Sequence, residues 1–117
     1  MDLGSFRELC LSKKGVTEEF PFGENTVVFK VMGKMFTLAD VIEFSGINVK
    51  VDPERGIELR EKYDAISPAF HMNKKHWITA ATKGMLPEKL LMQLIDDSYL
   101  LVVNGLTKSQ KSALHSM

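Results

Sequence analysis

Gly46-Ile47-Asn48-Val49-Lys50-Val51-Asp52 is the stretch whose reading decides the fold. Ile47, Val49 and Val51 are apolar, while Asn48, Lys50 and Asp52 between them are polar. Side chains alternate between the two faces of a strand, so this pattern predicts a strand with one face buried and one face wet. A strand of that kind belongs to an antiparallel sheet that is open to water on one side.

The segments on either side supply the rest of such a sheet. Upstream, Thr26-Val27-Val28-Phe29-Lys30-Val31-Met32 and Met35-Phe36-Thr37-Leu38-Ala39 are two β-rich runs separated by Gly33-Lys34, which predicts a tight hairpin turning at that dipeptide. Before it, Phe20-Pro21-Phe22-Gly23 interrupts regular structure, because proline fixes φ and glycine permits turns. From Asp2 to Lys14, apolar Leu3, Phe6, Leu9 and Cys10 recur at helical spacing, and Lys13-Lys14-Gly15 closes the helix. Downstream, Pro53 opens a short helix reaching about Tyr63. Ile66 and Phe70 flank a Ser67-Pro68 break, which reads as extended or irregular. Trp77-Ile78-Thr79-Ala80 reads as a strand ended by Lys83-Gly84, with Trp77 as a core residue of the sheet. Pro87 then opens a helix whose stripe is Leu90, Leu91, Leu94 and Ile95; Ser98 reads as the cap of a further turn through Val103. A last exposed helix is expected from Thr107 to Leu114. The order describes an α+β sandwich: an antiparallel sheet of about four or five strands, helices packed on one face, the other face polar and partly exposed.

Bulk composition narrows the function. A chain of 117 residues forms one domain and builds a core without disulfides. Its single cysteine, Cys10, excludes an internal disulfide and any paired-thiolate metal motif, as expected of a reducing compartment. Neither a basic-then-apolar leader nor an apolar run near the roughly 18 residues of a membrane span is present, so a cytoplasmic protein without membrane association is expected. Fifteen Lys and Arg balance fifteen Asp and Glu, with a pI near 6.8. Dedicated nucleic-acid binders are commonly basic, with pI above about 9. Any such activity here must come from uneven placement of charge. The placement is uneven: no acid lies between Asp64 and Glu88, a segment holding His71, Lys74, Lys75, His76 and Lys83. The tail beyond Asp97 is likewise acid-free and carries Lys108, Lys111 and His115.

Chemistry concentrates in Ala69–Ala80, "AFHMNKKHWITA", with two histidines, two adjacent lysines and the only tryptophan. No nucleophile elbow, P-loop or dinucleotide fingerprint is present, and Cys10 lies on an apolar helix stripe, so the chain reads as non-enzymatic. His71 and His76 are five residues apart across a turn, not at the spacing that aligns two ligands on a helix, and no acid lies nearby in sequence. No metal or other cofactor is expected. For nucleic acid, Lys74 and Lys75 would neutralise phosphates, His76 and Trp77 would stack or hydrogen-bond, and Lys30, Lys34 and Lys50 would extend the patch. The plainer reading makes Asn73-Lys74-Lys75 a solvated turn, and Met32, Met35, Met72, Met85 and Met92 core filler.

Four segments, "EEFPFGENTVVFKVMGKMFTLAD", "INVKVDPERGIELREKY", "SPAFHMNKKHWITA" and "DDSYLLVVNGLTKSQKSAL", together resemble the MmcQ/YjbR family, in order and over about residues 3 to 114. The specific combination is Pro21-Phe22, Gly33-Lys34-Met35-Phe36, His71 through Trp77, and Ser98-Tyr99. The resemblance implies a small bacterial cytoplasmic protein with a CyaY-like α+β fold. It also implies DNA binding, a label that rests on likening the hairpins of the sheet to a "double-wing" motif. No catalytic residue or cofactor comes with it. Carried onto this chain, its best DNA candidates are Lys74, Lys75 and His76, with Lys34 in the hairpin. A CyaY-like fold also raises frataxin-type iron handling, which would need an acidic ridge of hard carboxylate ligands. Here the first helix carries only Asp2 and Glu8, offset by Arg7, Lys13 and Lys14, and Glu18, Glu19 and Glu24 are expected in a connecting loop. The reading is therefore weak, salt-sensitive DNA binding; the alternative is a protein- or small-ligand-binding module using the polar sheet face or a pocket near Trp77, with no nucleic-acid role.

Overall fold

In the computed structural model, which describes residues 1–117, ten elements follow one another along the chain. They are α1 (Leu3–Leu11), β1 (Val16–Glu19), β2 (Thr26–Val31), β3 (Lys34–Asp40), β4 (Gly46–Lys50), α2 (Pro53–Lys62), β5 (Ile66–Pro68), β6 (Trp77–Ala81), α3 (Glu88–Asn104) and α4 (Lys108–His115). The strands form one antiparallel six-stranded sheet in the order β1-β2-β3-β4-β6-β5. The fold is α+β, with the helices packed against this sheet.

The alternation of β4 sets the layering. Val49 pairs with Thr37 on one side and Ile78 on the other, and Ile47 pairs with Ala39 and Ala80. All six are buried and face the helices. α3 lies over this row and buries Leu91, Leu94, Ile95, Ser98 and Val102, a stripe spaced for one helical face. α1 starts at Asp2, whose carboxylate accepts from the Ser5 N–H at 2.8 Å, and it buries Phe6 and Cys10. The Phe6 ring meets Phe29 edge-on, with centroids 5.4 Å apart.

Four features differ from the sequence expectations. The sheet has six strands rather than four or five, because Val16–Glu19 pairs with β2 as an edge strand. Glu18 and Glu19 are therefore strand residues, not loop residues, and no apolar alternation marked them as such. The hairpin turns at Met32-Gly33, one residue earlier than expected, with Val31 opposite Lys34. Both turn residues have positive φ, 50° and 79°, the handedness that suits a two-residue connection between twisted strands.

α3 is continuous through Ser98, which caps nothing and is fully buried in mid-helix. A β-bulge explains why a serine sits there. The register of β2 on β3 slips between Phe29 and Lys30, so Phe36 and Thr37 together oppose Phe29, and both are buried. Pairing of β3 with β4 stops at Thr37 and Val49. On the next rung, Ser98 Oγ accepts from the Lys50 N–H at 2.8 Å and donates to the Phe36 carbonyl at 2.5 Å. The helix thus supplies the hydrogen bonds that the bulge removes from the sheet.

Finally, Trp77 is not in the core. Ile78 and Ala80 take the helix side of β6, so Trp77 and Thr79 lie on the opposite face, with Trp77 half-buried across from Lys50.

Candidate functional site

The face of the sheet turned away from the helices carries Thr26, Val28 and Lys30 of β2, Met35 and Leu38 of β3, Asn48 and Lys50 of β4, and Trp77 and Thr79 of β6. It is apolar at its centre rather than polar throughout. Val28, although it points away from the helices, is fully buried.

Two loops rise over this face. The β1–β2 loop brings Phe22, and the β5–β6 loop brings Phe70, His71 and Met72. Between them and the strands lies a cavity of about 400 Å³. Phe22, Phe70, His71 and Met72 of the loops form its walls, and Thr26, Met35, Leu38 and Asn48 of the sheet its floor. Asn48 is anchored on both sides: Oδ1 accepts from Thr79 Oγ1 at 2.6 Å, and Nδ2 donates to the Met72 sulfur at 3.3 Å. A second concavity of about 300 Å³ shares Thr26, Leu38, Asn48 and Phe70 and runs on toward Asp40 and Ser45. Phe22 and Phe70 are 67% and 74% exposed, an unusual position for large aromatics beside an apolar hollow.

The β5–β6 loop owes its shape to Asn73. Its side-chain oxygen accepts from the N–H groups of Lys75 at 2.9 Å and His76 at 3.3 Å, and its carbonyl accepts from Trp77 at 3.0 Å. An Asx turn of this kind lifts Lys74, Lys75 and His76 into solvent. Lys74 Nζ reaches back to the Ala69 carbonyl at 3.3 Å and lies 5.6 Å from the Phe70 ring centroid, a cation–π contact.

All six basic candidates lie at one end of the sheet. Strand register brings the β2–β3 tip, the end of β4 and the β5–β6 turn to the same edge, so Lys30, Lys34, Lys50, Lys74, Lys75 and His76 share it. Lys30 alone among them is ion-paired, to Glu19 at 3.1 Å. Hydrogen bonds from Thr17 and Lys30 hold the Glu19 carboxyl below its usual range. The other acid on this face, Asp40, accepts from the N–H groups of Ile42 and Glu43. Lys83 lies elsewhere, 4.0 Å from Glu43, and Lys108, Lys111 and His115 belong to α4.

The acidic candidates for iron do not form a ridge. Glu18 pairs with Arg7 at 2.5 Å, and that guanidinium's hydrogen bond holds its carboxyl below the usual range. Nowhere do three or more His, Cys, Asp and Glu side chains gather as a metal site would require. His71 and His76 are both exposed. Burial pushes the Cys10 thiol up to about 12, so it is protonated at neutral pH.

Sequence reasoning missed the aromatic walls. Met35 and Met72 line the cavity and Met85 and Met92 are exposed, whereas Met32 packs against the core; the methionines are not uniformly core filler. Phe22 and Phe70 could have been suspected from position, because each is embedded in turn-forming residues that offer no buried face.

A family model described as YjbR matches residues 11–101. "Uncharacterized protein YbdF" of Escherichia coli O157:H7 is 42% identical over 106 residues, spanning 88% of this chain and 78% of that protein. "Uncharacterized protein YjbR" of Escherichia coli K12 is 27% identical over 115 residues, spanning 97% and 98%. A crystal structure of a Deinococcus radiodurans protein with a DUF419 domain superposes with a TM-score of 0.91 at 40% identity, covering 97% of this chain and 88% of that one. A Pseudomonas syringae crystal structure superposes with a TM-score of 0.72 at 30% identity, covering 86% and 98%.

Proposed function

This chain belongs to the YjbR family, and from that premise we propose that it is a non-enzymatic DNA-binding protein using the basic end of its open sheet face. The observation that carries the reading is the gathering of Lys30, Lys50, Lys74 and Lys75 at one end of the open sheet face, with Lys34 at the adjoining hairpin tip and Glu19, paired to Lys30, the one acid of that face at this end. Lysines held together in this way neutralise adjacent phosphates and release the counterions condensed on them. Few lysines and zero net charge imply modest affinity, with Kd of order 10⁻⁶ to 10⁻⁴ M, and strong weakening by salt.

The test is a titration of labelled duplex and single-stranded DNA at low salt, using the wild type and the Lys74→Ala/Lys75→Ala variant. The variant should bind more weakly to every sequence, and the slope of log K against log salt should drop by about 2. Absence of binding at low salt, or binding indifferent to both lysines, defeats the reading. A module that binds a small ligand and no nucleic acid is the second reading, favoured by the cavity of about 400 Å³, which falls in the range of about 300–1,000 Å³ usual for ligand sites.

A further inference from the structure

We infer that the cavity between Phe22 and Phe70 is a nucleobase pocket, so that the protein takes single strands in preference to duplexes and inserts a base over Asn48. The inference rests on the nucleic-acid reading above and deepens it.

No Asp, Glu, Lys or Arg lines the cavity, and His71 at its rim, exposed to solvent, is the one titratable side chain there, so the lining suits a group without formal charge of its own. Its lining combines exposed phenylalanines with the thioethers of Met35 and Met72, soft surfaces that suit a flat π-system. Among the floor residues, Asn48 supplies an amide. Asn48 uses one lone pair of Oδ1 on Thr79 and one proton of Nδ2 on the Met72 sulfur, a weak acceptor. One N–H and one lone pair remain, a donor and an acceptor of the kind that the edge of a base pairs with. Immediately outside, Lys74 Nζ lies 5.6 Å from the Phe70 ring centroid, and Lys30 pairs with Met35 across the hairpin. A neutral planar group inside and an anion outside is the make-up of one nucleotide in a strand. A base still paired in a duplex has its Watson–Crick edge engaged and its faces stacked, so an unpaired base is the one that can offer an edge to Asn48 and a face to Phe22 and Phe70. Aromatic platforms with adjacent lysines bind single strands by this combination of stacking and phosphate contact.

The experiment compares a mixed-sequence single-stranded oligonucleotide, an abasic strand of equal length, and a duplex, by anisotropy on the full chain. The proteins are wild type, Phe22→Ala, Phe70→Ala and Lys74→Ala/Lys75→Ala; both phenylalanines are exposed, so their removal leaves the core intact. The strand with bases should bind roughly 5- to 100-fold more tightly than the abasic strand. Phe70→Ala should erase most of that preference without changing abasic binding, whereas the lysine variant should weaken both strands alike. Equal binding of the two strands, or a preference untouched by both phenylalanine variants, overturns the pocket while lysine-dependent binding leaves the DNA reading standing. If no strand binds, the DNA reading fails, and NMR with a nucleoside monophosphate at millimolar concentration decides the pocket. Shifts confined to Thr26, Asn48 and Met72 sustain it, and their absence overturns it.

Discussion

Ser98 shows how one side chain can decide the geometry of a sheet. Serine is a mediocre helix former, and in mid-helix it makes sense only as a hydrogen-bonding residue turned inward. Here it satisfies the Lys50 N–H and the Phe36 carbonyl across the bulge. Ser98→Ala leaves both groups buried and unpaired, and should cost about 1–3 kcal/mol in urea unfolding with an unchanged m-value. A variant as stable as wild type would mean that the strands close the gap themselves. The local chemistry of Ser98 was visible in the sequence, but its role was not, because a capping serine and a bridging serine look alike until the facing strand is known. Asn73 is the opposite case. Its turn is made within three residues and was legible directly.

At the level of elements, glycines separate turn strain from packing. Gly33 has φ 79° with open space around its Cα, so Gly33→Ala should cost about 1–2 kcal/mol from backbone strain alone. Gly15 has φ 73° as well, but a Cβ there would collide with the Leu114 side chain of α4 and come within 3.2 Å of the Met117 sulfur. Gly15→Ala should therefore lower the midpoint of urea unfolding further than Gly33→Ala does, and equal losses would show that α4 yields freely. Elements with strong periodicity or caps were readable: β4, the hairpin strands, α2 behind Pro53, and α4 behind the Thr107–Gln110 capping box. β1 and β5 were not, because short edge strands are held by pairing with a neighbour distant in sequence rather than by their own pattern.

For the whole molecule, the shifted groups predict a stability that falls at both ends of the pH scale. Glu18 and Glu19 titrate below their ordinary values when folded, mainly through hydrogen bonds from Arg7 and Thr17 respectively. Their contribution is present above the ordinary carboxylate range and is lost as pH falls through their folded values. Cys10 behaves in the reverse sense. Its thiol is raised from 9.0 to about 12, so its contribution is complete below about pH 9 and is lost as pH climbs toward 12. Urea midpoints measured from pH 3 to pH 11 should show Glu18→Gln converging with wild type in acid, and Cys10→Ala losing less stability than wild type above pH 9. Parallel curves at either end would refute the corresponding assignment.

What the sequence determined by itself was local: where strands, turns and helix starts lie, that the sheet has one face for a core, and that acids are absent around the Asn73 turn. Periodicity, caps and turn chemistry act over a few residues, so a few residues suffice to read them. Only the tertiary structure decided that Trp77 faces away from the helices, that the basic residues share one end of the sheet, and that Phe22 and Phe70 stand over a cavity. Those facts depend on strand register and loop packing between segments tens of residues apart. A shift of one residue in register turns every side chain of a strand to the opposite face, and no local pattern in this chain specified it for β6.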